Sequence, residues 1–411
     1  MRVLFVSNLY PPHDLGGWEQ NCQEIVLRLQ ARGHACHVLT SRYGLNDHVE
    51  PEADVTRALH LQADIHYYRP VDFFLRRPRQ ERANRRALHA ALDTFQPDVV
   101  FIWGMWNLSP RLACWAEQWM PGRVAYAIAS YWPMEPDAHQ AYWQRTARRP
   151  WVRALMAPAR GLALQFLARE RKSHPLALAQ VACVSEYVRR KLTQAGALPH
   201  GARVIYNGID PQPFMEATAA QVPRHDMMRL VYAGGLVAHK GVLTAVVALG
   251  MLHKRGAADG LHLTIVGGGH PEYEAQLKRG VEEWALGEHV TFYGRVPRND
   301  MPEVLAGHTV FLFTSVWEEP IARTVMEAMA SGLTVIGTAV GGQREILEDG
   351  VNALVFPPDD AAKLADCILR LRSAPDLRLR LADTGRQTVL ERFTLERMVD
   401  EMERWLAEIV G

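Results

Sequence analysis

The sequence contains two glutamates eight positions apart, Glu319 and Glu327. Residues of this type at this spacing could form part of a site that binds a phosphorylated sugar. Pro320 suits the first turn of a helix and Gly332 the position just after its end, so the sequence predicts a helix over residues 320–331. Glu319 would then stand beside free first-turn amides, which suit a phosphate, and Glu327 could accept two hydrogen bonds from a ribose diol. A nucleotide sugar carries both groups, although two solvated glutamates on a surface helix would give the same spacing.

The elements that position these residues follow the strand–helix alternation of a covered parallel sheet. A strand at residues 3–7 and a helix at 18–32 form one unit, and the same plan restarts with a strand at residues 230–233. The sequence therefore predicts an α/β protein with two doubly wound, Rossmann-like domains, residues 1–205 and 206–394. Parallel sheets bind ligands beyond the carboxyl ends of their strands, so we expect the site in a cleft where the domains face each other.

Three further features refine this organisation. The dipeptide Asn207-Gly208 predicts a turn near the domain crossing, and residues 215–228 lack periodicity and are interpreted as a linker. A last helix at 395–411 carries Trp405, which must pack on something, and the first domain is one candidate. Other predicted strands are residues 181–184, 261–266, 290–293, 310–314 and 334–337.

The formal net charge of +1 hides two oppositely charged halves. Residues 1–200 carry 25 Lys and Arg against 17 Asp and Glu, whereas residues 201–411 carry 21 against 28. This asymmetry predicts halves that face different partners. The five cysteines are scattered without C-x-x-C pairing, so we expect free thiols. No apolar run is long enough for a secretory signal or a membrane span, so we expect a cytoplasmic chain.

The stretch E-E-P-I-A-R-T-V-M-E-A-M-A-S-G resembles the E-x7-E signature of retaining glycosyltransferases with the GT-B fold, in particular glycosyltransferase family 4. Five other segments resemble that family in the correct order, so the resemblance covers about residues 3–360. They are Tyr10-Pro11-Pro12 with Gly16, Gly17 and Glu19; Asn207-Gly208-Ile209-Asp210; Lys240-Gly241; Phe292-Tyr293-Gly294-Arg295-Val296; and Gly341-Gly342 with Glu345.

The resemblance implies that Lys240 binds the donor diphosphate, Glu319 the donor sugar and Glu327 the ribose, with Lys240 and Glu319 as catalytic candidates. It further implies donor-binding roles for Gly16, Gly17, Gly235, Gly241, Gly267, Arg295, Val296, Ile321, Ala322 and Arg323. The implied reaction moves a hexose from a UDP- or GDP-linked sugar with retention, by a front-face substitution in which the departing phosphate oxygen takes the acceptor's proton. A fixed ammonium stabilises the leaving diphosphate, and no D-x-D is present, so we expect no metal and no cofactor.

The sequence departs from the family pattern at two positions. Gly235 stands where many members have an arginine before the K-G lysine, and Arg323 and Arg344 are candidates to replace that cation. Ala129 stands where many members have a histidine. His13 and His139 are candidates for the missing histidine, although for either one a structural or surface residue is the plainer interpretation.

Because the donor motifs fall in the acidic half, we expect the basic half to bind the acceptor: a glycan, a lipid-linked or a small-molecule acceptor in cell-envelope polysaccharide synthesis. Trp106 and Trp132 follow predicted strands and are acceptor candidates, because aromatic faces stack on sugar rings. His13 is an acceptor candidate as the possible substitute for the missing histidine. Peripheral contact with the inner face of a membrane would suit the basic segments interleaved with large apolar residues, whereas a solvated basic face interrupted by Pro158 is the plainer interpretation. Their cations are Arg69, Arg76, Arg77, Arg79, Arg82, Arg85 and Arg86, then Arg145, Arg148, Arg149, Arg153, Arg160, Arg169, Arg171 and Lys172.

Two other classes of protein remain open at this stage. A catalytically silent protein that binds a sugar nucleotide or a glycan would explain Gly235 and Ala129. A nicotinamide-dependent oxidoreductase is disfavoured because neither glycine loop reads G-x-G-x-x-G. Nucleic acid is not an expected partner, since no recognition motif accompanies the positive charge.

Overall fold

The computed structural model describes residues 1–13, 15–45, 53–65, 67–146, 149–220 and 228–411. By spatial contact the chain divides into two compact units. The N-terminal unit consists of Met1–Val184, Val188–Ile205 and Val399–Gly411, and the C-terminal unit of Ser185–Tyr187 and Tyr206–Met398.

Strands and helices alternate along the first half as the sequence predicts. In chain order they are β1 (Arg2–Ser7), α1 (Gly17–Ala31), β2 (Ala35–Ser41), β3 (Val55–Leu59), α2 (Pro70–Leu75), α3 (Arg77–Phe95), β4 (Val99–Ile102), α4 (Pro110–Trp119), β5 (Val124–Ile128), α5 (Ala138–Gln144), α6 (Pro150–Ser173), β6 (Gln180–Cys183), α7 (Glu186–Gln194) and β7 (Arg203–Val204).

The second half repeats the alternation and ends in three helices. Its elements are α8 (Gln212–Ala219), β8 (Met228–Ala233), α9 (Val242–Lys254), β9 (Leu261–Val266), α10 (Pro271–Glu283), β10 (Val290–Gly294), α11 (Met301–Ala306), β11 (Val310–Phe313), α12 (Arg323–Ala330), β12 (Thr334–Gly337), β13 (Ala353–Val355), α13 (Ala361–Ser373), α14 (Pro375–Arg392) and α15 (Leu395–Val410).

Each unit contains one parallel sheet, which confirms the predicted α/β class with two Rossmann-like domains. The strand orders are β3-β2-β1-β4-β5-β6-β7 and β10-β9-β8-β11-β12-β13. Every residue of β4, β5, β11 and β12 is buried, as expected for parallel strands with helices on both faces. In both sheets the strand order reverses at one place, between β1 and β4 and between β8 and β11. Doubly wound sheets bind ligands beside this switch point.

Two local predictions at the start of the second half are wrong. Neither Asn207 nor Gly208 adopts a positive φ, so the dipeptide forms no Asn-Gly turn. Glycine is required at position 208 for a different reason, because a Cβ there would lie 2.2 Å from the carbonyl oxygen of Thr394. The predicted linker at 215–228 is helical where α8 covers it, and residues 221–227 lie outside the described part of the chain.

The helix predicted over residues 320–331 begins three residues later, at Arg323, although its end near Gly332 is as predicted. The segment before it is held in another way. The Glu319 carbonyl accepts a hydrogen bond from the Gly342 amide at 2.7 Å, and the Pro320 carbonyl accepts one from the Ser185 hydroxyl at 2.7 Å. These bonds keep residues 319–322 out of the helix, so Glu319 does not stand at its first turn.

A small separate core lies where α2, α5 and α6 meet. It is formed by Phe73, Trp143, Ala163 and Leu167. His139 packs edge-on against Phe73, and its Nδ1 lies 2.8 Å from the Tyr68 hydroxyl. Burial lowers the pKa of His139 from 6.5 to about 4, with Asp137 opposing the shift and Arg77 adding to it. His139 is therefore a neutral core residue at pH 7.

We predict that this histidine makes the N-terminal unit sensitive to mild acid. In the unfolded chain the His139 imidazole takes up a proton below pH 6.5, but in the folded protein only below about pH 4. The contribution of the neutral imidazole to the free energy of unfolding is therefore fully present above pH 6.5 and is lost as the pH falls towards 4. Between pH 7 and 5 the loss amounts to about 2 kcal/mol. Urea unfolding followed by tryptophan fluorescence measures it, because eight of the eleven tryptophans precede residue 200.

The matched control is His139→Gln, which keeps a hydrogen-bonding group beside Tyr68 but does not titrate. The variant should be less stable at pH 7, yet it should lose less stability than the wild type between pH 7 and 5. Equal losses in the two proteins would show that His139 is not the group responsible.

Candidate functional site

The K-G dipeptide places Lys240 at the switch point of the second sheet. After β8 the chain makes a short 3-10 turn, Ala238–Lys240, and Gly241 starts α9 with φ +64°. A Cβ on Gly241 would lie 2.0 Å from the Thr314 carbonyl oxygen, so only glycine permits this approach. The Thr314 hydroxyl donates to the Lys240 carbonyl at 2.9 Å. The turn after β8 is thereby joined to the end of β11.

Lys240 and Glu319, the two predicted catalytic residues, are brought into direct contact. Lys240 Nζ lies 2.5 Å from Glu319 Oε1, and the Ser315 hydroxyl donates to the same oxygen at 2.9 Å. The Glu319 side chain is 7% exposed and that of Lys240 27%. The nearly buried Glu319 carboxylate thus holds the partly exposed Lys240 ammonium beside the switch point, where a doubly wound sheet binds its ligand. We call Lys240, Ser315 and Glu319 the switch-point cluster.

The Gly341-Gly342 pair shapes the backbone beneath this cluster. A Cβ on Gly341 would lie 2.2 Å from the Glu319 carbonyl oxygen, and one on Gly342 would lie 1.8 Å from that of Pro320. Glu345 of the same motif accepts hydrogen bonds from the amides of Glu186 and Tyr187 at 2.9 and 2.7 Å. In this motif the two glycines permit close backbone packing, and Glu345 binds the backbone at the start of α7.

Glu327 lies on α12 and is almost fully buried, with its side chain 3% exposed. Its Oε1 accepts a hydrogen bond from Arg298 Nη1 at 2.7 Å and lies 4.0 Å from Arg323 Nε. Sequence reasoning missed Arg298. Nothing in the sequence around Arg298 indicates this contact, because it joins two residues that are 29 positions apart and meet only in the folded unit.

The remaining predicted donor residues of this unit follow β8, β9, β10 and β11. Gly235 is exposed, and a Cβ there would meet no atom within 4 Å. A Cβ on Gly267 would lie 1.9 Å from the Gly234 carbonyl oxygen, and the Arg295 side chain lies over Gly268. Val296 is half-buried just after β10, Ile321 is buried, and Ala322 caps α12.

Arg323 and Arg344, the candidates to replace the arginine missing at position 235, both contact other groups of the protein. Arg323 is buried beside Glu327, and Arg344 Nε donates to the Ala339 carbonyl at 2.9 Å. His239, next to Lys240, is an additional polar residue at this place, and burial followed by the charge of Lys240 lowers its pKa.

In the N-terminal unit, Gly16 and Gly17 stand at the start of α1, after the loop that follows β1. This loop is fixed to β4 by two tryptophans. Trp18 and Trp103 stack at 4.2 Å, and each ring nitrogen donates to the other's carbonyl at 2.9 Å. His13 is half-buried, and its ring lies against Gly44.

Trp106 and Trp132, which follow β4 and β5, line a cavity of about 890 Å³ in the same unit. Met105, Tyr142 and Leu164 add apolar and aromatic lining. Arg145, Arg171 and Lys172 also face the cavity and form no ion pair with a described residue. The lining also holds the carboxylates of Asp64, Glu135, Asp137 and Glu170, so charges of both signs stand around an otherwise apolar chamber. A chamber of this size with a few polar groups suits a small ligand or one part of a larger one. We call it the N-terminal cavity.

Not all arginines of the basic segments belong to a basic surface. Arg77 is 6% exposed and pairs with Glu170, while Arg111 lies 3.4 Å from the same glutamate. Burial raises the pKa of the neighbouring Glu81, and Arg77 opposes this shift. Arg148 lies outside the described residues. No helix among the described residues has the length and apolar character to cross a bilayer.

The fold and the switch-point cluster define a class, the glycosyltransferases with two Rossmann-like domains known as GT-B. Residues 15–213 match the family model described as Glycosyltransferase Family 4, and residues 215–388 match the one described as Glycosyl transferases group 1. The chain belongs to glycosyltransferase family 4, which confirms the resemblance seen in its motifs.

Individual relatives are distant. The chain is 26% identical to alpha-maltose-1-phosphate synthase of Mycobacterium tuberculosis over 96% of both chains. It is 29% identical to the amylovoran biosynthesis glycosyltransferase AmsK of Erwinia amylovora, but the match covers 50% of this chain and 51% of that protein. The crystal structure of Anabaena HepE with UDP and glucose has the same fold, with a TM-score of 0.69, 18% identity and 99% of each chain covered.

We predict that Arg298 and Glu327 stabilise the C-terminal unit as a coupled pair. In a double-mutant cycle on the unfolding free energy, Arg298→Ala and Glu327→Gln should show a coupling of about 1–3 kcal/mol, because removing one partner leaves a buried charge unsatisfied. Chemical denaturation of the four proteins measures the coupling.

The control is the exposed pair Lys363 and Asp366, 3.8 Å apart, for which Lys363→Ala and Asp366→Asn should couple by less than about 0.5 kcal/mol. A coupling between Arg298 and Glu327 no larger than that of the control would mean that Arg298 does not hold the carboxylate.

Proposed function

We propose that the protein is a retaining glycosyltransferase that transfers a hexose from a nucleotide-diphosphate sugar to an acceptor alcohol. The observation that carries this proposal is the switch-point cluster, where a partly exposed lysine is held by a buried glutamate beside the start of α9. Family membership supports glycosyl transfer itself, and the further steps below are proposals.

In the proposed reaction, Lys240 binds the diphosphate and stabilises the charge that develops as the glycosidic bond breaks. A fixed ammonium needs no reorganisation when this charge forms, so it lowers the barrier without a metal ion. Glu319 orients Lys240 and contacts the donor sugar. The departing phosphate oxygen accepts the proton of the attacking hydroxyl on the same face, so the substitution needs no protein base, and a half-buried Ala129 in the place of a histidine is compatible with it.

The donor nucleoside is proposed to bind through Glu327, whose carboxylate can accept hydrogen bonds from both ribose hydroxyls. Arg298 holds this carboxylate in the ligand-free protein. The base would lie near Val296, which the loop after β10 presents. We propose a UDP- or GDP-linked donor, and the UDP bound to a protein of the same fold, HepE, supports the first of these.

The acceptor is proposed to bind in the N-terminal cavity, with Trp106 and Trp132 stacking on its sugar rings. A glycan, lipid-linked or small-molecule acceptor of cell-envelope polysaccharide synthesis fits this chamber, and the role of AmsK in amylovoran biosynthesis is in keeping with that assignment. We propose a cytoplasmic enzyme that contacts the inner face of the membrane peripherally.

We predict that the protein binds a nucleoside diphosphate and that turnover of the matching sugar nucleotide depends on Lys240. UDP or GDP should raise the melting temperature of the wild type, because a ligand that binds only the folded state stabilises it. Lys240→Ala should lower the rate of diphosphate release from the matching sugar nucleotide by about 100- to 1000-fold, the usual effect of losing one stabilising charge. Excess EDTA should leave the wild-type rate unchanged.

Lys363→Ala is the matched control and should keep the wild-type rate, since Lys363 is exposed and pairs with Asp366 on the same helix. Nucleotide binding without release from any UDP-, GDP- or ADP-linked sugar would favour the silent sugar-nucleotide binding protein. No melting shift with any of the three nucleotides would contradict the donor site itself.

We predict that an arginine can be added at the position where the family usually has one. Gly235 has open space around its Cβ position and no positive φ, so Gly235→Arg should fold normally. A second diphosphate cation forms a charge-assisted hydrogen bond, and the KM for the donor should fall by about tenfold. Gly235→Gln is the uncharged control and should leave the KM near the wild-type value.

A further inference from the structure

The loops that follow β8 and β9 are packed closely together by glycines. A Cβ on Gly267 would lie 1.9 Å from the Gly234 carbonyl oxygen, and one on Gly269 would lie 1.9 Å from the Leu236 carbonyl oxygen. The Leu236 amide donates to the Gly268 carbonyl at 3.1 Å, which fixes the two loops side by side. They therefore present backbone with few side chains at the carboxyl edge of the second sheet. We call residues 234–236 and 267–269 the glycine platform.

Arg295 reaches this platform from the next strand. It directly follows Gly294, the last residue of β10, and the sheet order places β9 between β10 and β8. A Cβ on Gly268 would lie 2.9 Å from Arg295 Cγ and 2.6 Å from its Nε. The Arg295 side chain therefore lies over the end of β9, one strand closer to the switch point than its own backbone. Glycine at position 268 leaves the space that this side chain fills.

The guanidinium of Arg295 is available to a ligand. Arg295 is exposed, and its side chain forms no hydrogen bond or ion pair with a residue that the structure describes. Glu274 lies at the same loop, but its carboxylate accepts the Gly269 amide at 2.6 Å. Arg298, three positions after Arg295, is held by Glu327 instead. The platform thus carries an unpaired positive charge next to backbone that a ligand can approach closely.

We propose that Arg295 binds the donor diphosphate and takes over the role of the arginine that many members of the family have at position 235. Gly235 belongs to the platform, and no side chain of its own occupies the space beside it. Arg323 and Arg344 both contact other groups of the protein and do not fill this role. The assignment rests on the proposed function, because it assumes that a nucleoside diphosphate binds at the switch point.

A diphosphate on the platform would meet two cations that come from different strands. Lys240 belongs to the turn after β8, whereas Arg295 approaches over the end of β9. A guanidinium can form two parallel hydrogen bonds with phosphate oxygens, which a lysine cannot. Because like charges repel, placing the second cation on another strand also lowers the repulsion with Lys240 in the ligand-free protein. Both cations then stabilise the negative charge of the leaving diphosphate.

The competing role for Arg295 is stacking on the nucleoside base, since guanidinium planes stack on aromatic rings and the base is proposed to lie near the adjacent Val296. The two roles differ in the part of the ligand that they need. A contact with the diphosphate is lost when the ligand has no phosphate, whereas stacking on the base is kept.

The test compares the binding of UDP and of uridine to the full-length wild type and to Arg295→Gln, with GDP and guanosine as the pair if GDP gives the larger melting shift. Arg295→Gln should weaken UDP binding by about 10- to 100-fold, the usual range for one charge-assisted contact. Uridine binding should change by less than about twofold, within the scatter expected for a group that it does not touch. Arg295→Gln should also keep the wild-type melting temperature without ligand, because Arg295 is exposed.

The matched control is Arg255→Gln, which removes another exposed arginine of the same unit. Arg255 lies at the C-terminal end of α9, just before the chain returns to the start of β9, and so at the opposite edge of the sheet. This variant should bind UDP like the wild type.

Gly268→Ala tests the position of the Arg295 side chain. Gly268 has no positive φ, and the atoms that a Cβ would displace belong to the flexible Arg295 side chain and not to backbone. Gly268→Ala should therefore fold and weaken UDP binding in the same direction as Arg295→Gln. In the Arg295→Gln background it should have little further effect, because the side chain that it displaces is already gone.

Gly235→Arg tests whether the charge can be moved back. In the Arg295→Gln background it should restore most of the lost UDP affinity. This gain should exceed the gain from Gly235→Arg in the wild type, because two cations that serve one diphosphate partly substitute for each other.

Three results would overturn the assignment. They are unchanged UDP binding by Arg295→Gln, equal losses for UDP and uridine, and equal gains from Gly235→Arg in the two backgrounds. The second of these would place Arg295 on the base. Failure of the wild type to bind UDP, GDP or ADP would overturn the donor site itself, and the assignment with it, so the two failures are distinguishable.

Discussion

The approach of the Gly241 backbone to the Thr314 carbonyl is the constraint on which the C-terminal site depends. It joins the turn after β8 to the end of β11 across the switch point of the sheet. Any side chain at position 241 would force the two segments apart. Lys240 would then move with the turn, and the contact with Glu319 would be lost. Glycine is therefore required at position 241 by the geometry of the turn, and this geometry places the Lys240 side chain in contact with Glu319.

Much of the fold can be predicted from the sequence because parallel strands leave a strong signal. The strands at 261–266 and 334–337 occur as predicted, since each is a short buried run bounded by turn residues. Helix α12 shows where local rules fail. Pro320 is a good first-turn residue, but tertiary hydrogen bonds from Ser185 and Gly342 hold its neighbourhood outside the helix. A local rule cannot anticipate partners that are distant in the sequence.

The candidate site residues also divide into those that local sequence patterns indicate and those that only tertiary contacts reveal. Lys240, Glu319 and Glu327 could be singled out as candidates from spacing and family resemblance, because the glycines beside them leave local signatures. Arg298 could not, since its use depends on meeting Glu327 in space. Composition also misleads about charge. Arg77 belongs to a basic run in the sequence but is buried with Glu170, so the run does not form a continuous basic surface.

The ion pair between Lys240 and Glu319 has a consequence for product release. A diphosphate bound to a lone lysine would leave an unpaired cation behind when it departs, and this cost would slow its escape. Here a nearly buried carboxylate is already hydrogen-bonded to Ser315 and within reach of the ammonium. In the proposed reaction, Glu319 forms its ion pair with Lys240 again as the nucleotide leaves. The same contact that orients the cation for bond cleavage thus sets the enzyme back to its resting state.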